Sequence, residues 1–293
     1  MLPSNRRSHL GYDAIIVGAG IAGCTAAVIL GRAGLRVALV EKHRRAETYK
    51  ALCGHFILGG AEQTLQRTGF WDQMADRGAP ILRTSAWSES GWTIAPDDSA
   101  PSCISLPRRD LDPMLRDIAA STPGVDLLLG HAVTALTERL GAVAGVRVTT
   151  AEGTDQELTG RVVIGADGVN SAVARLAGVP ARMSPNGRFM YWAYYEGVGL
   201  PSRDLSKIWL LDPDVVVAFP TAGGLTQLGS FPSKARLSEF RESPGEAIER
   251  SVRAVPDAPE LSGATRISKV IGTTDYPCVR RDGCVFLTGI NIS

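Results

Sequence analysis

Three glycines and one acid near the start of the chain have the types and the spacing that dinucleotide binding needs. Gly18, Gly20 and Gly23 directly follow the apolar run Tyr12–Val17, and Glu41 ends the next apolar run. Gly18 permits a tight turn, Gly20 lets a pyrophosphate approach the backbone, and Gly23 lets the following helix pack closely on the strand. The Glu41 carboxylate can accept hydrogen bonds from both hydroxyls of an adenosine ribose.

A strand, a glycine turn, a helix and a second strand must position these residues. The helix begins near Ile21 and Ala22, and its N-terminus offers free N–H groups and a positive dipole end to phosphates. We include Lys42, the basic residue that follows Glu41, among the cofactor-binding residues. The segment therefore predicts the beginning of a Rossmann-like dinucleotide-binding domain.

Two later motifs place charged residues at the ends of predicted elements. Pro107–Leu115 opens a helix with an Arg-x-x-Leu-Asp-x-x-Leu pattern, and Arg108 at its start can hold a phosphate with two hydrogen bonds. A buried strand runs into Gly-Ala-Asp-Gly, so Asp167 and Gly168 lie at the carboxyl end of a strand, where open α/β sheets bind ligands. Taken alone, each motif also fits a solvated surface charge or a plain turn.

Taken together and in this order, the three motifs resemble those of the group A FAD-dependent monooxygenases of the para-hydroxybenzoate hydroxylase type. The resemblance covers most of residues 12–289. It implies an FAD cofactor whose phosphates Arg108 supports, and it implies that Asp167 lies near the pyrophosphate and serves both FAD and NAD(P)H use. It further implies NAD(P)H as reductant, O₂ as co-substrate and a small molecule as substrate.

The last residues depart from the pattern of this family. The family continues from a strand into Gly-Asp-Ala, whose Asp binds the ribityl chain of the flavin. This chain reads Gly289 and then Ile290, and its last residue is Ser293. From this departure we expect a sequence cut short before the second FAD motif, and we expect residues 1–293 alone to bind FAD weakly.

The order of the predicted elements interleaves two domains in an α/β fold. A Rossmann-like FAD-binding domain is predicted for 12–80, 105–182 and 276–293. An antiparallel-sheet substrate domain is predicted for 81–104 and 183–275, because these stretches are rich in strand patterns.

Aromatic residues crowd the second strand-rich stretch. Tyr191, Tyr194, Trp209 and Phe219 are candidates to line an apolar substrate pocket, although core packing accounts for most aromatic residues of such a stretch. His55 follows the second strand and is either a plain loop residue or a contact of flavin or substrate. The sequence contains no Ser-His-Asp order or metal-ligand spacing that would indicate another chemistry, and no catalytic side chain is assigned.

The composition disfavours several classes of function. The 293 residues are 44% hydrophobic and carry a formal net charge of +1, so no electrostatic feature favours nucleic acid or an anionic membrane. No apolar stretch of the sequence is long enough for a transmembrane segment. Five cysteines without a Cys-x-x-Cys pair favour a reducing, cytoplasmic location.

The sequence therefore predicts an FAD-dependent and NAD(P)H-dependent monooxygenase that hydroxylates or epoxidises an apolar or aromatic small molecule. Two alternatives stay open. One is an FAD-dependent reductase of the geranylgeranyl reductase type, which shares the early motifs, and the other is a non-catalytic remnant that binds only a nucleotide or a partner. A flavin halogenase is disfavoured, because its Trp-x-Trp-x-Ile-Pro motif is missing.

Overall fold

The chain forms two compact units. The computed structural model describes residues 11–94 and 102–281. The described part of the first unit comprises 11–49, 112–183 and 279–281, and that of the second comprises 50–94, 102–111 and 184–278. Helices and strands are mixed in the chain order, so the α/β fold class predicted from the sequence is confirmed.

The secondary-structure elements are numbered along the described residues. The strands are β1 (Tyr12–Val17), β2 (Val37–Glu41), β3 (Phe56–Ile57), β4 (Ile81–Ser88), β5 (Gly91–Ile94), β6 (Cys103–Ser105), β7 (Val125–Leu129), β8 (His131–Arg139), β9 (Ala142–Thr150), β10 (Asp155–Gly165), β11 (Arg182–Ser184), β12 (Met190–Glu196), β13 (Leu205–Leu210), β14 (Val215–Pro220), β15 (Thr226–Phe231), β16 (Thr265–Arg266), β17 (Ile271–Thr273) and β18 (Cys278–Arg280). The helices are α1 (Ile21–Arg32), α2 (Glu62–Thr68), α3 (Phe70–Asp76), α4 (Arg108–Ala120), α5 (Ala172–Leu176), α6 (Leu237–Arg241) and α7 (Pro244–Arg253).

The first unit is built on a six-stranded sheet with the order β7-β2-β1-β10-β9-β8. Strands β2, β1 and the end of β10 run parallel to one another and to β7, which is the outermost strand on that side of the sheet. The residues Val37–Val40 of β2 form a continuous apolar run and are fully buried, as expected for a parallel strand covered on both faces. Val17, the last residue of β1, lies level with Val40 of β2 and Gly165 of β10. The glycine turn, Glu41 and the Gly-Ala-Asp-Gly motif therefore lie at the same end of the sheet.

The second unit is built on a ten-stranded sheet with the order β16-β12-β15-β14-β13-β4-β6-β3, to which β17 and β5 add at β12 and β4. Most pairs are antiparallel, as predicted, but β4 and β13 run parallel. A parallel pair needs a long connection, and more than a hundred residues separate these two strands in the sequence. One face of the sheet carries a hydrophobic core that includes Phe240 of α6 and Ile248 of α7.

The boundary between the units differs from the predicted one mainly in two places, besides shifts of one to three residues at 183 and 276–278. Residues 50–80 and 105–111, which the sequence analysis assigned to the FAD-binding domain, belong to the second unit. The reason is strand pairing, because β3 pairs with β6 and β6 pairs with β4. The assignment of a substrate role to the second unit stays a prediction. Among the described residues, no helix is long and apolar enough to cross a membrane.

Candidate functional site

The turn after β1 needs two of its glycines for close packing of the backbone. Gly18 has a φ of +103°, and a Cβ there would lie 2.6 Å from the carbonyl oxygen of Ala166. A Cβ on Gly23 would lie 1.8 Å from the carbonyl oxygen of Gly18, so α1 can approach the turn only because Gly23 has no side chain. The motif predicts these two requirements, a tight turn at Gly18 and close packing of the helix at Gly23.

Gly20 differs from Gly18 and Gly23 because a Cβ on Gly20 would meet nothing within 4 Å. Gly20 is the N-cap of α1, and no side chain caps the helix or places an acid in its first turn. The backbone N–H groups of Gly20, Ile21 and Ala22 have no recorded acceptor within the described residues. Open space beside uncapped N–H groups at a helix N-terminus suits an anion such as a diphosphate.

Glu41 ends β2 beside this turn, with a side chain that is almost fully buried. Its Oε2 accepts a hydrogen bond from the N–H of Ala19 at 2.9 Å. Its Oε1 accepts from the backbone N of His43 at 3.0 Å and contacts His43 Nδ1 at 2.5 Å. Burial alone would raise the pKa of Glu41, but the hydrogen bonds from His43 and Ala19 together bring the pKa below its ordinary value.

The Glu41 carboxylate is therefore ionised at neutral pH and keeps part of its capacity to accept hydrogen bonds. A carboxylate offers about four lone-pair positions, and three donors occupy Glu41. About one lone-pair position therefore remains for a ribose hydroxyl, whereas the sequence predicts hydrogen bonds from two hydroxyls. The adjacent Lys42 side chain is exposed at the same strand end.

Asp167 organises its own loop next to the glycine turn. Its Oδ2 accepts from the backbone N–H groups of Ala172 at 2.6 Å and Val173 at 3.1 Å, and its Oδ1 accepts from the Ser171 hydroxyl. Gly168 has a φ of +84°, which completes the turn. The spacing in Gly-Ala-Asp-Gly-x-x-Ser thus has a structural explanation, because the motif caps α5. The proximity of Asp167 to a pyrophosphate stays a prediction.

Arg108 is the first residue of α4 and belongs to the second unit. Its backbone N–H donates to Nδ1 of His55 at 2.9 Å, and its Nη1 lies 3.4 Å from the Cys53 sulfur. The hydrogen bond makes Nδ1 an acceptor, so a neutral His55 ring carries its proton on Nε2. His55 holds a φ of +57°, a conformation that non-glycine residues rarely adopt. The role of Arg108 toward the FAD phosphates stays a prediction.

The four aromatic candidates of the second unit lie on two different faces of its sheet. Trp209 is fully buried in the core on the face that α6 and α7 cover, and its Nε1 donates to the carbonyl oxygen of Pro256 at 2.9 Å. Tyr191 packs on the same core, with its ring 6.1 Å from that of Phe240. Both side chains have partners in the core, which removes the basis for assigning them to a substrate pocket.

Tyr194 and Phe219 lie on the opposite face, on either side of Gln227. The strand register pairs Tyr194 with Gln227 and Gln227 with Phe219. The ring of His55 stacks on that of Tyr194 at 5.6 Å, and the ring of Phe56 stacks on that of Phe219 at 4.4 Å. Two of the four predicted residues thus share one aromatic face.

Sequence reasoning missed Gln227, which is only 1% exposed at the centre of this face. Within the described residues its Oε1 has no hydrogen-bond partner, and a Cβ on Gly54 would lie 3.9 Å from its Nε2. An isolated glutamine in a strand has no sequence signature. The alternation of β15 could have placed it only after the pairing with β12 and β14 was known.

Fold and site together define an α/β protein of the dinucleotide-binding type, with a glycine turn, an uncapped helix and an acid at one sheet edge. The chain belongs to the FAD binding domain family, whose model matches residues 11–230. The resemblance to FAD-dependent monooxygenases that the three motifs predict is confirmed at this level.

Two curated relatives are similar to most of the chain. It is 28% identical to a 6-methylpretetramide 4-monooxygenase of Streptomyces rimosus over 253 residues, which are 84% of this chain and 59% of that protein. It is 28% identical to a 3-(3-hydroxy-phenyl)propionate/3-hydroxycinnamic acid hydroxylase of Comamonas testosteroni, over 85% of this chain and 41% of that protein. The chain thus spans about half the length of these two relatives.

A solved structure has the same fold. The flavin-dependent brominase Bmp2 superposes with a TM-score of 0.77 at 21% identity, over 94% of this chain and 69% of that chain. At this identity the similarity concerns the fold alone.

Proposed function

We propose that this chain supplies the nucleotide-binding and substrate-binding parts of an FAD-dependent, NAD(P)H-dependent monooxygenase. The observation that carries the proposal is the edge of the first sheet, where the open side of Gly20, the uncapped start of α1 and the ionised Glu41 come together. These groups match the diphosphate and the ribose of the ADP half of FAD. The relatives of this chain that are named monooxygenase and hydroxylase support the class of reaction.

The chain's own residues would bind and orient the cofactor. The N–H groups at Gly20, Ile21 and Ala22 would hold the diphosphate, and Glu41 would accept a hydrogen bond from the ribose. Bound FAD would supply the redox chemistry, in which NAD(P)H gives a hydride and O₂ gives one oxygen atom to the substrate and the other to water. A monooxygenase of this kind needs no nucleophilic side chain, which agrees with the absence of a nucleophile motif from the sequence.

The aromatic face of the second unit is our candidate for substrate contact. Tyr194 and Phe56 are partly exposed and offer ring surfaces, while Phe219 and Gln227 are buried beside them. Such a face suits an apolar or aromatic small molecule. The cytoplasmic location and the use of NADH or NADPH belong to this proposal as well.

Purified chain tests the proposal in two steps. Titration with FAD, followed by flavin fluorescence, is expected to give saturable binding of one FAD per chain. NAD(P)H oxidation is then measured together with O₂ consumption in the presence of a panel of phenols and polycyclic aromatic compounds. Product that contains oxygen from ¹⁸O₂ supports a monooxygenase. Reduction of a substrate double bond without oxygen incorporation supports the reductase alternative, and FAD binding without turnover of either kind supports the non-catalytic alternative.

A further inference from the structure

Arg116 of α4 is a buried charge that the sequence motifs leave unexplained. The residue is only 4% exposed, in the first unit of the chain. A guanidinium cannot lose its charge in a protein, so burying it is costly unless its donors are satisfied. Its partners therefore indicate what the residue does.

The partners of Arg116 are three backbone carbonyl groups. Nε donates to the carbonyl oxygen of Ala19 at 3.0 Å. Nη1 donates to the carbonyl oxygen of Ala46 at 2.6 Å and also to that of Thr48. One planar side chain thus joins the glycine turn after β1 to the loop that follows Glu41.

The bond to Ala19 fixes one peptide group of the turn. The N–H of Ala19 donates to Glu41 and the carbonyl of Ala19 accepts from Arg116, so the residue is held on both sides. In a trans peptide the carbonyl oxygen and the following N–H point in opposite directions. With its carbonyl turned to Arg116, Ala19 leaves the N–H of Gly20 directed away from Arg116. Among the described residues, no acceptor is recorded for that N–H.

We propose that Arg116 is a positioning residue of the dinucleotide site, which holds the Ala19–Gly20 peptide so that the Gly20 N–H faces the diphosphate. The inference rests on the proposed function, because it takes the glycine turn to be a diphosphate site. Arg116 itself does not touch the ligand in this account. Its effect reaches the ligand through a backbone group, and it therefore concerns the diphosphate and not the adenosine.

The test compares three ligands and two arginines of the same helix. Arg116→Lys keeps the charge but lacks the planar fork that reaches three carbonyl groups. Arg109→Lys is the matched control, since Arg109 is exposed and, among the described residues, pairs with the adjacent Asp110 at 3.3 Å. Affinities of the purified chain for FAD, ADP and adenosine are measured by calorimetry, with circular dichroism as the check of folding. We expect Arg116→Lys to weaken ADP and FAD binding about tenfold, a loss of the size of one good hydrogen bond, and to leave adenosine affinity within twofold.

The outcomes distinguish a failure of the Arg116 role from a failure of the proposed function. Equal ADP affinities of the wild type and Arg116→Lys overturn the positioning role and leave the proposed function intact. An equal loss for adenosine and ADP means that Arg116 only maintains the fold, which also overturns it. A folded wild type that binds neither FAD nor ADP overturns the proposed function together with the inference.

A measurement on the wild type covers the case in which Arg116→Lys does not fold. Hydrogen exchange of the peptide that contains Gly20 is followed by mass spectrometry with ADP or adenosine bound. Exchange that is slowed by ADP but not by adenosine supports the contact between the Gly20 N–H and the diphosphate. The same exchange rate with both ligands contradicts it.

Discussion

The backbone N–H of Ala19 donates to the carboxylate of Glu41, with N and Oε2 2.9 Å apart. This bond joins the acid at the end of β2 to the glycine turn after β1, two segments that are about twenty residues apart in the sequence. The group assigned to the ribose and the turn assigned to the diphosphate are thus one hydrogen-bonded structure. A change at Glu41 is expected to affect both halves of the ADP moiety.

Replacing Glu41 with alanine is expected to weaken FAD binding by about 1–3 kcal/mol, the usual loss for hydrogen bonds to a charged group. Glu47→Ala is the matched control, because Glu47 is exposed in the following loop. FAD titration of both variants gives the comparison. An unchanged dissociation constant for Glu41→Ala would remove Glu41 from the site.

The same carboxylate is expected to disfavour a phosphate on the adenosine ribose. An ionised acid at this position repels a 2′-phosphate, so ADP should bind more tightly than 2′-phospho-ADP. Calorimetry with the two nucleotides measures the ratio of their affinities. The preference for ADP should be smaller in Glu41→Gln. Tighter binding of the 2′-phosphorylated nucleotide by the wild type contradicts this account.

Gly20→Val is expected to abolish FAD binding while the chain stays folded. A Cβ at Gly20 meets no protein atom within 4 Å, and the backbone there has a φ of −87°, which valine can adopt. Gly23→Ala supplies the contrast, because its Cβ would lie 1.8 Å from the oxygen of Gly18 and should destabilise the fold. Circular dichroism and FAD titration of both variants separate the two effects. FAD that still binds to Gly20→Val contradicts the diphosphate role.

Glu41 is expected to make the stability of the first unit depend on pH in the acid range. Its pKa in the folded chain lies below the ordinary value of 4.5, because hydrogen bonds from His43 and Ala19 outweigh the effect of burial. The stabilisation is therefore present above the unfolded pKa and is lost as the pH falls through the folded pKa. Denaturant unfolding of the wild type and Glu41→Gln should differ most at neutral pH and converge below about pH 4.5. If the difference in unfolding free energy between the two proteins does not change with pH, the charge of Glu41 does not contribute to the stability.

Trp209 is expected to act on stability, since it lies in the core. Trp209→Ala should lower the free energy of unfolding by about 3–5 kcal/mol, the usual cost of emptying a large core site. Leu210→Ala, at the next residue, is the control, because that side chain is 48% exposed. Denaturant unfolding followed by circular dichroism compares them. If Trp209→Ala lowers the free energy of unfolding by less than Leu210→Ala does, the core position of Trp209 is contradicted.

The sequence predicted the local structure around the glycine turn because its signals are local. Strand, glycine turn, helix and acid follow one another within residues 12–41, and each glycine has a steric requirement that spacing alone reveals. The carbonyl partners of Arg116 and the pairing of His43 with Glu41 depend on how distant loops return to the turn. No spacing rule encodes these contacts.

The assignment of aromatic residues to faces required the tertiary structure. Alternation along β12 places Tyr191 and Tyr194 on opposite faces, which the sequence already implies. Which face becomes the core is decided by the packing of α6 and α7, and register is needed to bring Gln227 between Tyr194 and Phe219. The Gly289–Ile290 departure falls outside the described residues, and the weak FAD binding expected from it stays a prediction.

The sheet edge at Gly20 and Glu41 is proposed to bind the ADP half of FAD. The most direct measurement of this binding is a calorimetric titration of the purified chain with FAD, beside Gly20→Val under the same conditions. We expect saturable binding of one FAD per wild-type chain, competition by ADP, and no binding to the folded Gly20→Val variant. A folded wild type that binds no FAD, or FAD binding that ADP does not displace, would contradict it.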